Sequence, residues 1–116
     1  MKTMKPSIEW DEFEKVDMRV GKVLTCVLNP EARKPAYILT IDFGPELGIK
    51  TSSAQLTRNY TPEDLIGRQV VAVVNFLPKR IAGVKSEVLV LGVPDEEGAV
   101  VLIGPGHEVP LGGRLF

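Results

Sequence analysis

The sequence predicts an all-β domain, and three features carry that prediction. Apolar runs rich in valine occur at residues 70–74, 88–91 and 100–103, and short β-branched runs of this kind favour strands over helices. Residues 37–43 alternate between apolar and polar side chains, which is typical of a strand with one buried face. Gly, Pro and Asp residues separate these segments at short intervals, as turns do in small β domains.

The chain length of 116 residues allows one domain with a real hydrophobic core but hardly two. We therefore read residues 1–116 as a single domain. Residues 1–14 are predicted to form an N-terminal helical segment, and residues 104–116 a C-terminal tail that helps a dimer. Charged residues make up 25% of the chain and apolar residues 44%, which is ordinary globular usage and excludes a disordered or fibrous class.

The chain carries no signal for a membrane or an oxidising compartment. No apolar run approaches the roughly 20 residues needed to span a bilayer, so we expect no membrane insertion. Cys26 is the only cysteine, which excludes an intrachain disulfide and fits a reducing compartment. We therefore expect a cytoplasmic protein.

The first predicted elements are a short helix and a long strand. Ser7 is expected to cap the helix, in which Trp10 and Phe13 share a face that packs against the domain. Residues 15–28 read as one long strand that bends at Gly21, where the alternation falters. A long bent first strand suits a small barrel.

The remaining elements follow in order. The second strand is predicted over residues 37–43 and the third over residues 49–53. Thr61, followed by Pro62 and two acidic residues, predicts the start of a short helix. The first two valine-rich runs are the fourth and fifth strands, and an acidic turn leads to a sixth strand over residues 99–103.

This order predicts an OB-fold, a five- to six-stranded Greek-key barrel with short N-terminal and inter-strand helices. In OB-folds the loops after the first and fourth strands bind oligonucleotides. The two basic loops of this chain, residues 30–35 and 76–85, fall in those two connections. The alternative is an ordinary small barrel whose cations form only a solvated surface.

The net charge of −1 provides no general basic field, so binding of a nucleic acid requires a local patch. Cations of this patch would contact RNA phosphates, whereas apolar neighbours would contact an unfolded polypeptide. The candidate binding residues for either ligand are Arg33, Lys34, Lys50, Ser52, Ser53, Asn75, Phe76, Lys79, Arg80, Ile81, Val84, Lys85 and Ser86.

The valine-rich runs are apolar on both faces, so a second layer must cover them. We predict a homodimer, the commonest soluble oligomer. Its candidate interface residues are Trp10, Phe13, Val88, Val90, Leu115 and Phe116. The alternative is that the terminal residues cover the strands within one chain.

The usual catalytic constellations are missing. His107 is the only histidine and Cys26 the only thiol, which excludes a cluster of His and Cys metal ligands. We expect His107 to be a turn residue and Cys26 a buried apolar one. No glycine-rich loop matches a nucleotide-binding motif. We therefore predict that the protein is not an enzyme and holds no cofactor and no metal.

The loop after the fourth predicted strand carries a spaced set of residues: Asn75, Pro78, Lys79, Arg80, Gly83, Ser86, Glu87 and Leu89. Together they resemble the signature of the tRNA-binding OB domain, which occurs free-standing and attached to aminoacyl-tRNA synthetases. Residues 13–21, 32–37, 52–55 and 110–113 are similar to segments of the CsaA-type export chaperones within that family. Phe76, Val88 and Leu89 differ from the synthetase-attached members and favour the chaperone type.

The resemblance implies a dimeric OB-fold protein without enzymatic activity. Such a protein holds unfolded segments of precursor proteins before secretion and associates with the export machinery. The alternative function is that of a tRNA-binding protein, or more broadly a structured-RNA-binding protein, which uses the same basic loops.

Overall fold

The computed structural model describes residues 3–116, so the first two residues of the predicted helical segment 1–14 lie outside it. The elements in chain order are α1 (Trp10–Glu14), β1 (Met18–Leu28), β2 (Tyr37–Asp42), β3 (Ile49–Ala54), α2 (Pro62–Leu65), β4 (Gln69–Val73), β5 (Lys79–Ile81), β6 (Val84–Ser86), β7 (Leu89–Val90), β8 (Gly92–Pro94) and β9 (Val100–Leu102).

Five antiparallel strands form the main sheet in the order β3-β2-β1-β4-β7, and the pairs β5-β6 and β8-β9 form two hairpins. The chain after β6 returns to β3, where the Glu87 N–H donates to the Thr51 carbonyl oxygen at 2.8 Å. The Ser52 hydroxyl donates to the Val88 carbonyl oxygen at 3.2 Å. We call this set of contacts the barrel closure. It makes the sheet a nearly closed barrel, and the predicted OB-fold is confirmed.

Strand β1 is the central element because it pairs with β4 through residues 18–22 and with β2 through residues 22–28. Its register shifts between Val23 and Thr25, so the irregularity lies there and not at Gly21 as predicted.

Gly21 is buried and has a packing role. A Cβ atom at this position would lie 2.6 Å from Ile41 Cγ2 and 2.7 Å from Phe43 Cε1. Since no carbon atom fits there, glycine allows β1 to lie directly against the largest side chain of the core.

The core lies inside the barrel and is built from alternate residues of the strands. Tyr37, Leu39, Ile41 and Phe43 are all buried, which confirms the predicted alternation of the second strand. The largest side chains with less than 2% exposure are those of Phe43, Leu39, Ile41, Leu65, Val23 and Val70. Each large aliphatic side chain buried in this way contributes about 1.5–3 kcal/mol to the stability of the fold.

Both helices begin with reciprocal caps. Glu9 caps α1, and its N–H donates to Glu12 Oε1 at 2.9 Å, so the prediction that Ser7 caps this helix is wrong. The predicted start of α2 is confirmed, since the Thr61 N–H donates to Asp64 Oδ2 at 2.9 Å and Thr61 Oγ1 accepts from the Asp64 N–H. The hydrogen bond from the Thr61 backbone lowers the pKa of Asp64.

The C-terminal tail forms a short extension of the sheet. The Val20 N–H donates to the Gly113 carbonyl oxygen at 3.0 Å, and the Leu115 N–H donates to the Met18 carbonyl oxygen at 2.9 Å. These bonds place residues 112–115 along the part of β1 that β2 does not pair. The tail therefore covers the strands from within one chain over this region.

Three short strands fall where the sequence predicts something else. Strands β5 and β6 lie within the predicted basic loop, and β8 follows a break after the predicted run 88–91. Each of these strands has three residues, which is too short to show a periodic pattern.

The substitution Gly21→Ala should lower the free energy of unfolding by about 1–3 kcal/mol, because the added methyl group displaces Ile41 and Phe43. Urea denaturation followed by circular dichroism measures the change. Gly106→Ala is the matched control, since nothing lies within 4 Å of a Cβ atom there. An unchanged midpoint for Gly21→Ala would contradict the packing described above.

Candidate functional site

The basic loop after β4 folds into the β5-β6 hairpin around a two-residue turn, Ala82-Gly83. These residues have φ values of 47° and 81°. Positive φ at both central residues is typical of a type I′ turn, whose twist matches that of a hairpin. Alanine adopts this conformation at a cost of about 1–2 kcal/mol. Contacts outside the turn must therefore hold it in place.

Those contacts come from the first basic loop. Asn29, at the end of β1, is buried, and its Nδ2 donates to the Ala82 carbonyl oxygen at 3.1 Å. Its Oδ1 accepts from the Glu31 N–H at 3.0 Å. The Glu31 carboxylate lies over Gly83, where a Cβ atom would be 2.5 Å from Oε2. The two basic loops are thus joined into one surface.

The outer face of the hairpin is cationic. Arg80 and Lys85 lie directly opposite each other and are both exposed. Within the described part of the chain, no carboxylate forms an ion pair with either cation. Like charges placed opposite in an antiparallel pair destabilise it. An anionic ligand would remove this repulsion.

A cleft of about 440 Å³ lies between the two loops, and we call it the basic cleft. Its lining includes Arg33, Lys34, Ser53, Gln55 and Ile81. Both cations are exposed, so they can reach the phosphate or carboxylate group of a ligand.

A second cleft of about 220 Å³ lies on the other side of β5, and we call it the apolar cleft. Phe76, Leu77, Ile81 and Leu89 line it together with Lys79. The Leu77 side chain is 92% exposed, and Phe76 is also exposed. Adjacent exposed apolar side chains of this size make the apolar cleft a candidate interaction surface. Ile81 lines both clefts, so β5 separates a basic groove from an apolar one, and Val84 lies opposite Ile81 in the hairpin.

The predicted serines belong mainly to the barrel closure. Ser52 lies on β3 opposite Leu39 of β2, and its side chain points into the barrel, so it is 0% exposed. The structure therefore does not bring Ser52 to a ligand-binding surface. Ser86 Oγ accepts from the Ser53 N–H at 3.0 Å, and Ser86 is nearly buried at the edge of the apolar cleft.

Two further predicted residues lie outside both clefts. The Asn75 Oδ1 accepts from the Asp17 N–H at 3.0 Å, and its Nδ2 donates to the Lys15 carbonyl oxygen at 2.7 Å. Asn75 thus connects the hairpin loop to the chain between α1 and β1. Lys50 is half-buried on β3 and lines neither cleft.

The exposed residues among those predicted for a dimer form one apolar surface. Trp10 is 85% exposed and Phe116 is 100% exposed. With Ile8 and the half-buried Phe13 they line a shared groove, which we call the terminal patch. The aromatic side of α1 does not pack into the core, since none of its residues is buried.

The other residues predicted for a dimer are covered within the chain. Val88 is buried in the core, so its assignment to a dimer interface is wrong, because its side chain faces the interior of the barrel. Val90 packs against the same core. Leu115 is half-buried and lines a groove beside Val71.

The site contains charge and apolar contacts but no reactive group. The residues from 3 to 116 include no cluster of three His, Cys, Asp or Glu residues that could hold a metal ion. Burial raises the pKa of the Cys26 thiol to about 11, so it remains protonated and unreactive at neutral pH. Over the same residues, no helix has the length and apolar character needed to cross a membrane.

Sequence reasoning missed Asn29, Glu31 and Gln55 as parts of this surface. The Asn29-Pro30 pair signals a turn. It does not reveal that the Asn29 side chain reaches a carbonyl group 53 residues further along the chain.

Comparison with known proteins assigns the chain to a family. The family model described as "Putative tRNA binding domain" matches residues 18–114, which include both clefts. The methionine–tRNA ligase of Pyrococcus furiosus is 39% identical over 108 residues, and that of Bacteroides fragilis (strain YCH46) is 33% identical over 114 residues. These matches cover 93% and 98% of this chain but only 14% and 16% of the ligases.

Solved structures match over nearly the whole chain. The chaperone CsaA of Bacillus anthracis str. Ames is 54% identical with a TM-score of 0.89, and the match covers 96% of this chain and 100% of that one. The CsaA chaperone protein of Picrophilus torridus is 45% identical with a TM-score of 0.88, with 95% and 100% covered. The chain therefore belongs to the tRNA-binding OB-domain family and is a member of its CsaA type.

Proposed function

We propose that this protein is a non-catalytic molecular chaperone that binds unfolded segments of precursor proteins before their secretion. The apolar cleft beside β5 is the observation that carries the proposal. Its exposed Phe76 and Leu77 side chains line the same cleft as Lys79, so one surface presents apolar and cationic groups together. An extended polypeptide with mixed side chains matches such a surface, whereas RNA phosphates would use only the cations.

The similarity to the two CsaA structures supports the same proposal, since both are described as chaperones and each is covered completely by this chain. By this proposal the protein acts in the cytoplasm and delivers its clients to the export machinery. It requires no cofactor and no metal.

We further propose that the protein acts as a homodimer through the terminal patch. Trp10 and Phe116 are too exposed for large aromatic side chains of a monomer. Aromatic residues are enriched in the cores of protein interfaces. A dimer would present two apolar clefts, and a long client that reached both would gain avidity without further contacts.

A second candidate function is the binding of tRNA, which the opposed pair Arg80 and Lys85 favours. These two cations form no ion pair with residues 3–116, and such cations suit the phosphate backbone. Arg33 and Lys34 extend the cationic surface across the basic cleft. The family model and the similarity to a domain of the methionine–tRNA ligases support this candidate.

Removal of the apolar contacts should weaken chaperone activity. We expect Phe76→Ser/Leu77→Ser to weaken binding of a urea-unfolded reporter protein by roughly tenfold or more, because each buried side chain of this kind is worth about 1.5–3 kcal/mol. Suppression of light scattering by aggregating luciferase measures the effect. Leu28→Ser is the matched control, since Leu28 is exposed but lies outside the apolar cleft. A wild-type protein that fails to suppress aggregation would refute the chaperone proposal.

The terminal patch should control assembly. Sedimentation velocity should give a dimer for the wild type and a monomer for Trp10→Ser/Phe116→Ser, because the double substitution removes the two most exposed aromatic side chains of the patch. Val27→Ser changes an exposed apolar side chain on β1, outside the terminal patch, and this variant should remain dimeric. A monomeric wild type, or a dimer that survives the double substitution, would count against this interface.

The tRNA candidate predicts a salt-dependent affinity. If about three cations per subunit contact phosphate, the plot of log affinity against log salt should have a slope of roughly −4 to −5 for the dimer. Arg80→Gln/Lys85→Gln should flatten that slope by roughly 3, since four contacts are lost per dimer. Fluorescence anisotropy of labelled tRNA measures both values, with Lys5→Gln/Lys15→Gln as the control of equal charge. A tRNA affinity that changes neither with salt nor with the hairpin substitutions would exclude tRNA binding through these cations.

A further inference from the structure

A third cleft, of about 650 Å³, lies where the C-terminal tail passes the start of β4, and we call it the tail cleft. Lys22, Arg68, Gln69 and the segment 104–108 line it. Lys22 lies on β1, seven positions before Asn29, so about 23 Å of extended chain separates Lys22 from the residue that contacts the hairpin turn. The tail cleft is therefore a surface distinct from the basic and apolar clefts.

Two cations of the tail cleft have no ion-pair partner among residues 3–116. The guanidinium carbon of Arg68 lies 5.1 Å from the centre of the Tyr60 ring, and this cation–π contact holds the side chain while its N–H groups stay free to donate. Lys22 lies opposite Asp42 in the β1-β2 register, and Asp42 Oδ1 accepts from the Gly44 N–H.

The backbone of the tail cleft is fixed by one side chain. Gln69 Nε2 donates to the Val109 carbonyl oxygen at 2.7 Å, and Gln69 Oε1 accepts from the Val109 N–H at 3.1 Å. At the other end, a Cβ atom on Gly104 would lie 2.8 Å from the Gln69 carbonyl oxygen, so the two backbones are in close contact. Residues 105–108 thus lie between two hydrogen bonds at Val109 and a close backbone contact at Gly104.

This segment carries donors without acceptors. The N–H groups of Gly106, His107 and Glu108 donate to no acceptor within the part of the chain that the structure describes. All three residues are exposed, so these N–H groups can donate to an anion that enters the cleft. Together with the side chains of Lys22 and Arg68 they form a set of hydrogen-bond donors. Among the residues that line the cleft, only Glu108 has a carboxylate that would repel an anion.

We propose that the tail cleft binds a phosphate group, as free phosphate or as part of a nucleic-acid backbone. Charge-assisted hydrogen bonds from an arginine, a lysine and backbone N–H groups are the interactions that hold phosphate most strongly. The site goes beyond the chaperone and tRNA-binding roles proposed above, since it shares no residue with the basic or the apolar cleft.

The first arm of the test uses inorganic phosphate as the probe. In ¹⁵N–¹H spectra at constant ionic strength, the amide signals of Gly106, His107 and Glu108 should shift saturably, and chloride should not reproduce the shift. Lys22→Gln and Arg68→Gln should each weaken the phosphate affinity by about tenfold, which is the loss of one charge-assisted hydrogen bond. Lys5→Gln should leave it unchanged, and urea midpoints would verify that each variant is folded.

The second arm identifies the source of the phosphate. Lys22→Gln/Arg68→Gln leaves the hairpin intact, so a severalfold loss of tRNA affinity in anisotropy would assign the site to a nucleic-acid backbone. If the double substitution removes the phosphate response and leaves the tRNA affinity unchanged, the tail cleft is a site for free phosphate. This assignment holds even if the wild type binds no tRNA. The proposal is overturned if the wild type shows no saturable phosphate response and the double substitution does not alter tRNA binding.

Discussion

The two clefts beside the β5-β6 hairpin depend on the barrel closure between β3 and the chain after β6. One backbone hydrogen bond, from Glu87 to Thr51, is supplemented by side-chain contacts from Ser52 and Ser86. Because β6 leads directly into these contacts, the closure determines where the β5-β6 hairpin leaves the barrel. The basic and apolar clefts lie on either side of that hairpin, so both are positioned by the same few hydrogen bonds. Without them the hairpin that carries the cations would lose its attachment to β3.

A second constraint joins the hairpin to the first basic loop. Asn29 is buried and uses both ends of its amide, one toward Ala82 and one toward Glu31. The strained alanine at the turn is thereby held from outside the hairpin. The two loops are therefore ordered together on folding, so little further entropy is lost in fixing this surface when a ligand binds.

Much of the fold was predictable from the sequence, because long strands and the capped helix α2 leave strong local patterns. The alternation at residues 37–43 and the start at Thr61 were read correctly for that reason. The hairpin strands were not predictable, since a strand of three residues is too short to show a period. The burial of Val88 was not predictable either, because in sequence a strand buried on both faces looks the same as one with an open apolar face. For the site, composition indicated the cations, but the inward direction of Ser52 follows from its register with β2, which no local pattern contains.

The C-terminal tail has a consequence for solubility. Residues 112–115 occupy the edge of β1 beside Met18 and Val20, which would otherwise present unpaired N–H and C=O groups to solvent. An open edge of this kind is a template on which further strands can add without limit, leading to fibres and precipitates. By pairing this edge within the chain, the tail denies it to strands of other molecules, while the basic and apolar clefts remain open.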